Sequence, residues 1–208
     1  LARDVRRLLL PLLALTTGCA TAGPPPAAPA TVADYAPLRV GAAWTYAVRF
    51  PGQSGERTIT VLEEKDGYFM DSAGGALRHT PEGLRDQVRF LLKNPLSVGA
   101  RWKAVVSASA VEHYTLEGVG EPCTAQAGRF SDCLVVAASI RQDAQHTLHS
   151  KFYWARGVGL VKITTALEYQ GKLEPQTEQS LLHFSLTPGG TPSTGAQDEA
   201  AGEGDWSR

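Results

Sequence analysis

Trp44, Tyr46, Val48 and Phe50 alternate with Thr45, Ala47 and Arg49, and this two-residue period constrains the fold more than any other feature of the chain. Successive side chains of a strand point to opposite faces, so such a run buries one face and wets the other. The pattern returns at Trp102, Ala104, Val106 and Ala108, and again at Leu134, Val136, Ala138 and Ile140. Ile59 and Val61 follow it less cleanly. Phe152 and Trp154 share a face, as do Leu182, Phe184 and Leu186. Glycine and proline clusters at Pro51-Gly52, Gly74-Gly75, Pro81, Pro95, Gly118 to Gly120 and Gly157 to Gly159 separate these runs. A helical period shows only faintly, around Leu84 to Leu92. The expected fold is all-β: a single antiparallel domain of roughly nine to eleven strands, forming a curved meander sheet, open barrel or sandwich, with at most one short helix.

That domain is placed at 34–187, long enough to build one sizeable core. Ahead of it, 19–33 is rich in alanine and proline, a composition that favours extended, solvated chain and reads as a tether. Behind it, 188–208 is rich in glycine, serine, threonine and proline, turns acidic towards its end, and is expected to be disordered; Trp206 is its lone aromatic.

One string occurs twice. Pro37-Leu38-Arg39-Val40-Gly41-Ala42-Ala43-Trp44 returns as Pro95-Leu96-Ser97-Val98-Gly99-Ala100-Arg101-Trp102, with only Arg39 and Ala43 exchanged. Proline presets the incoming φ, glycine permits a left-handed turn, and tryptophan opens a strand as a large anchor. The two strings read as equivalent loop-to-strand entries that plug one core, or as paired aromatic walls of a ligand cavity. The flanking sequences do not match, so a full duplication is not inferred.

Tyr35-x-Pro37-Leu38-x-x-Gly41-x-x-Trp44-x-Tyr46 resembles the entry motif of a group of uncharacterised exported bacterial proteins and lipoproteins. Ala127-Gly128-Arg129-Phe130-Ser131-Asp132-Cys133-Leu134 and Tyr153-Trp154-Ala155-x-Gly157-Val158-Gly159-Leu160-Val161-Lys162 resemble two further motifs of that group, in the same order. The resemblance implies a β-rich envelope domain and brings no catalytic residue with it.

The N-terminal segment points to the same compartment. Arg3, Arg6 and Arg7 precede an apolar run from Leu8 to Leu15, too short for the roughly 20 residues of a membrane span and suited to a cleavable export signal over 1–18. Thr16-Thr17-Gly18-Cys19 resembles a lipobox, which implies acylation of Cys19 and cleavage before it. Each buried methylene of an acyl chain contributes about 0.8 kcal/mol, so several chains anchor firmly. With Ala20 following Cys19, the resemblance favours the inner leaflet of the outer membrane, facing the periplasm, with the cell surface as the other address. Loss of Arg3, Asp4, Arg6 and Arg7 with the signal moves the formal net charge from −1 to −3, which argues against a nucleic-acid partner.

Cys123 and Cys133 bracket a stretch with Ala127-Gly128 near its middle, a hairpin signal that would set the two opposite each other. Such a pair suits a disulfide in an oxidising compartment; a buried thiol at Cys133 is the alternative. No Cys-x-x-Cys redox motif is present.

Motifs for catalysis are missing. His146-x-x-His149 points its rings to opposite faces of a strand and lacks the carboxylate of a zinc helix. Pro51-Gly52-Gln53-Ser54-Gly55 fails the nucleophile-elbow spacing, and Gly118-Val119-Gly120 is followed by Glu121-Pro122, not by a phosphate-binding helix. No catalytic residue, metal or cofactor is therefore assigned. The leading expectation is a lipid-anchored, non-catalytic envelope domain that binds an apolar ligand or a protein partner. Its ligand-wall candidates are Trp44, Trp102 and Trp154, and its membrane contact is acylated Cys19. An envelope hydrolase whose site assembles only in three dimensions is one alternative, and a purely structural lipoprotein is another.

Overall fold

A computed structural model describes residues 29–195. The expected signal segment, Cys19, most of the tether, and 196–208 with Trp206 lie outside the described residues.

The domain is all-β, as expected. One helical turn, α1 (Val32–Tyr35), precedes twelve strands: β1 (Ala43–Phe50), β2 (Gln53–Lys65), β3 (Tyr68–Asp71), β4 (Ala76–Thr80), β5 (Gly83–Arg85), β6 (Phe90–Lys93), β7 (Arg101–Ser107), β8 (Ala110–Ala125), β9 (Gly128–Arg141), β10 (His146–Ala155), β11 (Gly159–Tyr169) and β12 (Lys172–Ser185). They form one sheet in the order β6-β5-β4-β3-β2-β1-β12-β11-β10-β9-β8-β7. Two six-stranded meanders are thus joined through the antiparallel pair β1–β12.

This order forces curvature. β6 and β7 are the two edges of the sheet, yet only 94–100 connect them. Seven residues reach about 25 Å at most, whereas twelve strands laid flat would span about 50 Å. The sheet closes into a near-barrel whose seam lies between β6 and β7. Side chains bridge that seam: Trp102 Nε1 donates to the Phe90 carbonyl at 2.9 Å, and Arg89 pairs with Glu112 of β8.

The period-two runs fold as read. Leu134, Val136 and Ala138 of β9 are buried and face inward, in register with Trp154, Phe152 and Ser150 of β10. The last strand departs from the expected phase. Leu181 is fully buried, and opposite the step from Thr45 to Tyr46 the register skips Leu182, so Leu181 and Phe184 are the partners of Tyr46 and Trp44. One extra residue in a strand reverses every face beyond it.

The faint helical spacing at Leu84 to Leu92 belongs to a hairpin instead. Leu84 of β5 and Leu92 of β6 sit opposite each other and both are fully buried. Gly83 enters that hairpin at φ +145°, and a Cβ there would stand 2.1 Å from the Leu92 carbonyl oxygen. The single helix is α1, where the Asp34 carboxylate accepts the Thr31 backbone N–H at 2.6 Å.

The repeated strings are two copies of one turn. Gly41 and Gly99 adopt φ +83° and +85°, and Ala42 and Ala100 donate back to Arg39 and Ser97. Each turn then clips to the neighbouring strand, Gly41 to the Val61 carbonyl and Gly99 to the Leu116 carbonyl, both at 2.8 Å. One turn opens each six-stranded meander.

Cys123 and Cys133 form a disulfide with Cα atoms 6.0 Å apart. They are not directly opposed: Cys133 faces Glu121 and Cys123 faces Phe130, and the irregularity between them brings the sulfurs together. Closing so short a loop contributes about 2–3 kcal/mol.

The core reaches beyond the expected limits at both ends. Val32 is 1% exposed, ahead of residue 34. Past β12, Ser193 pairs with Phe184, and Gly195 is buried and donates to the Ala127 carbonyl at 2.8 Å. Chain read as a disordered tail is therefore docked through Gly195.

Candidate functional site

The inward faces of β1, β10 and β11 do not fill the barrel. They enclose a cavity of about 280 Å³ walled by Trp44, Tyr46, Phe152, Trp154, Leu160 and Ile163. Its walls are held from behind. Trp44 Nε1 donates to the Val158 carbonyl at 2.7 Å, and the Tyr46 hydroxyl donates to the Leu160 carbonyl at 2.8 Å. Burial raises the Tyr46 hydroxyl well above its ordinary pKa, so it stays a neutral donor.

One end of the cavity is polar. Asp86 and Arg89, in the loop between β5 and β6, line it together with Tyr114 of β8. Asp86 Oδ1 accepts the backbone N–H groups of Val88 and Arg89, both at 2.7 Å, and its Oδ2 accepts Arg89 Nε at 3.1 Å. The far side of the guanidinium donates to Glu112 Oε2, which also accepts the Tyr114 hydroxyl at 2.5 Å. Tyr114 stacks on Trp102 with ring centres 5.2 Å apart. Burial, and then the bond to Glu112, raise the Tyr114 hydroxyl above its ordinary range. The carboxylates at this end are thus engaged in holding the seam.

One donor is left over. Trp154 is 6% exposed, yet its buried Nε1 has no hydrogen-bond partner among the described residues. A buried donor without an acceptor costs about 1–3 kcal/mol, and native structures rarely keep one without a reason.

No family model matches the chain, and no curated protein matches it. Among solved structures, the chain is similar to a Bacteroides fragilis protein described as exported and YmcC-like in fold. The two share 15% identity over 73% of this chain and 99% of that one, with a TM-score of 0.45. A Parabacteroides distasonis protein described as a lipoprotein shares 14% identity over 73% of this chain and 98% of its own, with a TM-score of 0.38. Neither likeness assigns a residue or an activity to this chain.

Of the three tryptophans singled out from the sequence, Trp44 and Trp154 line the cavity; Trp102 lies outside it, at the seam behind Tyr114. The residues of the three family-like strings meet at one end of the barrel. Tyr35 donates to Asp132 at 2.6 Å, Arg156 pairs with Asp132 at 3.1 Å, and the Arg156 guanidinium lies over the Tyr35 ring. Burial, reinforced by the Asp132 carboxylate, pushes the Tyr35 hydroxyl up to about 12. This cluster staples α1 to the barrel, and it is structural.

The described residues that line the cavity include no serine, histidine, cysteine or lysine. The histidines are dispersed: His79 bonds the Ala36 carbonyl, His146 pairs with Asp143, His149 pairs with Glu168, and His113 is exposed. Among the described residues no group of three His, Cys, Asp or Glu side chains could hold a metal ion, and no helix is long and apolar enough to cross a membrane. The arrangement can enclose a small apolar molecule and can donate a hydrogen bond to it.

Proposed function

We propose that this protein is a lipid-anchored, non-catalytic binding domain of the bacterial envelope, with its ligand site inside the barrel. The cavity carries this reading: a well-packed core leaves few voids larger than a water molecule, and this one is ringed by aromatic and aliphatic side chains. An apolar cavity of about 150 Å³ accepts benzene, so about 280 Å³ suits a molecule of about eleven heavy atoms. A diacyl lipid is too large for it. The Arg3-to-Cys19 segment supports the anchor and the envelope address, with the outer membrane's periplasmic leaflet as the site of attachment.

Two measurements test the two halves of the proposal. Titrating the full chain with indane, followed by calorimetry, is expected to show saturable one-to-one binding; no saturable binding would leave a structural role. Cys19→Ser is expected to move the protein from the membrane to the soluble fraction with its circular dichroism unchanged. Retention of that variant on membranes would remove the anchor.

A further inference from the structure

We infer that the cavity ligand is a neutral, largely apolar molecule bearing a hydrogen-bond-accepting oxygen, such as a ketone or ester carbonyl, which the Trp154 indole N–H receives. This rests on the ligand-binding reading above and adds the chemical class. Every other polar group at the cavity wall is already engaged. Trp44 and Tyr46 donate to backbone carbonyls, and Tyr114 and Arg89 donate to Glu112. Asp86 accepts three N–H groups, and Asp71 Oδ1 accepts those of Ala73 and Gly75. Trp154 Nε1 alone keeps a free donor, in a side chain that lines the cavity and is almost wholly buried.

Indole can only donate, so the ligand must accept. Charge narrows the class further. The ionisable residues lining the cavity are Asp71, Asp86 and Arg89, and Glu112 lies directly behind Arg89. The single guanidinium is already paired on both sides, so an anionic head would enter against uncompensated carboxylates.

The test compares three bicyclic probes on the full chain: indane, 1-indanone and indane-1-carboxylate. 1-Indanone is expected to bind about tenfold more tightly than indane, the scale of one buried hydrogen bond made against one left unmade. Its binding should move the Trp154 indole N–H resonance downfield in a nitrogen-15 correlation spectrum, assigned by triple-resonance experiments, whereas indane should not. In Trp154→Phe the ketone preference should vanish. The carboxylate should bind more weakly than either neutral probe. Equal affinity for indane and 1-indanone in the native chain, or an unmoved Trp154 resonance on ketone binding, overturns this inference and leaves the binding domain standing. Tight binding of the carboxylate overturns the neutral class. Failure of all three probes overturns the binding domain itself. The wild-type resonance decides the matter even if Trp154→Phe does not fold.

Discussion

Trp44→Ala is expected to lower the free energy of unfolding by about 3–5 kcal/mol, measured by urea denaturation. The ring is 8% exposed, and its Nε1 satisfies the Val158 carbonyl. It also packs against Gly159, where a Cβ would stand only 3.3 Å from Nε1. Truncation would leave that carbonyl without its partner and would enlarge a cavity that already exists, so the neighbours have little reason to collapse inward. Trp44→Phe keeps most of the ring and should cost about 1 kcal/mol, the hydrogen bond alone. A Trp44→Ala chain that stays within about 1 kcal/mol of the native protein, but no longer binds indane, would make the residue a ligand wall with no structural share.

Arg89→Met is expected to cost about 3 kcal/mol, the lower end of the range for breaking a buried ion pair, because the guanidinium is 36% exposed. It strands the Glu112 carboxylate, 8% exposed, with only the Tyr114 hydroxyl as donor. Removing both charges should do less harm than removing one. Arg89→Met with Glu112→Leu is expected to recover most of the loss, leaving about 1 kcal/mol for the Tyr114 hydroxyl deprived of its acceptor. Thermal melts of the single and double variants check this. A double variant weaker than the single would mean that the pair itself holds the seam, beyond merely satisfying its own charges.

The chain announces its class through residues whose burial alternates. Trp44, Tyr46, Leu134, Val136, Phe152 and Trp154 are readable because strand geometry places them two apart on one face, and four of them turn out to wall the cavity. Leu181 is not readable, because a bulge at Leu182 changes the phase and only the partner strand reveals it. β3, β5 and β6 are three or four residues long, too short to show a period. Leu84 and Leu92 mimic a helical spacing because two hairpin arms place them together.

The polar end of the cavity has a different difficulty. Asp86 and Arg89 lie in one loop and Glu112 and Tyr114 in a strand beyond the seam, and nothing local links them. A signal did exist. Glu112 shares its inward register with Tyr114 and Leu116, and a carboxylate in such a place requires a partner.

The pairing of β1 with β12 also governs the order in which the molecule can be completed. Every other ladder joins strands that follow one another along the chain, so it can form as soon as its second strand is made. β1 acquires its outer neighbour only from Lys172–Ser185, the last strand to be synthesised. Until then its backbone amides and carbonyls face outward, and distant pairings are the slowest to form. A chain that stops ahead of Lys172 would keep its hairpins and carry an open edge onto which strands of other molecules could add.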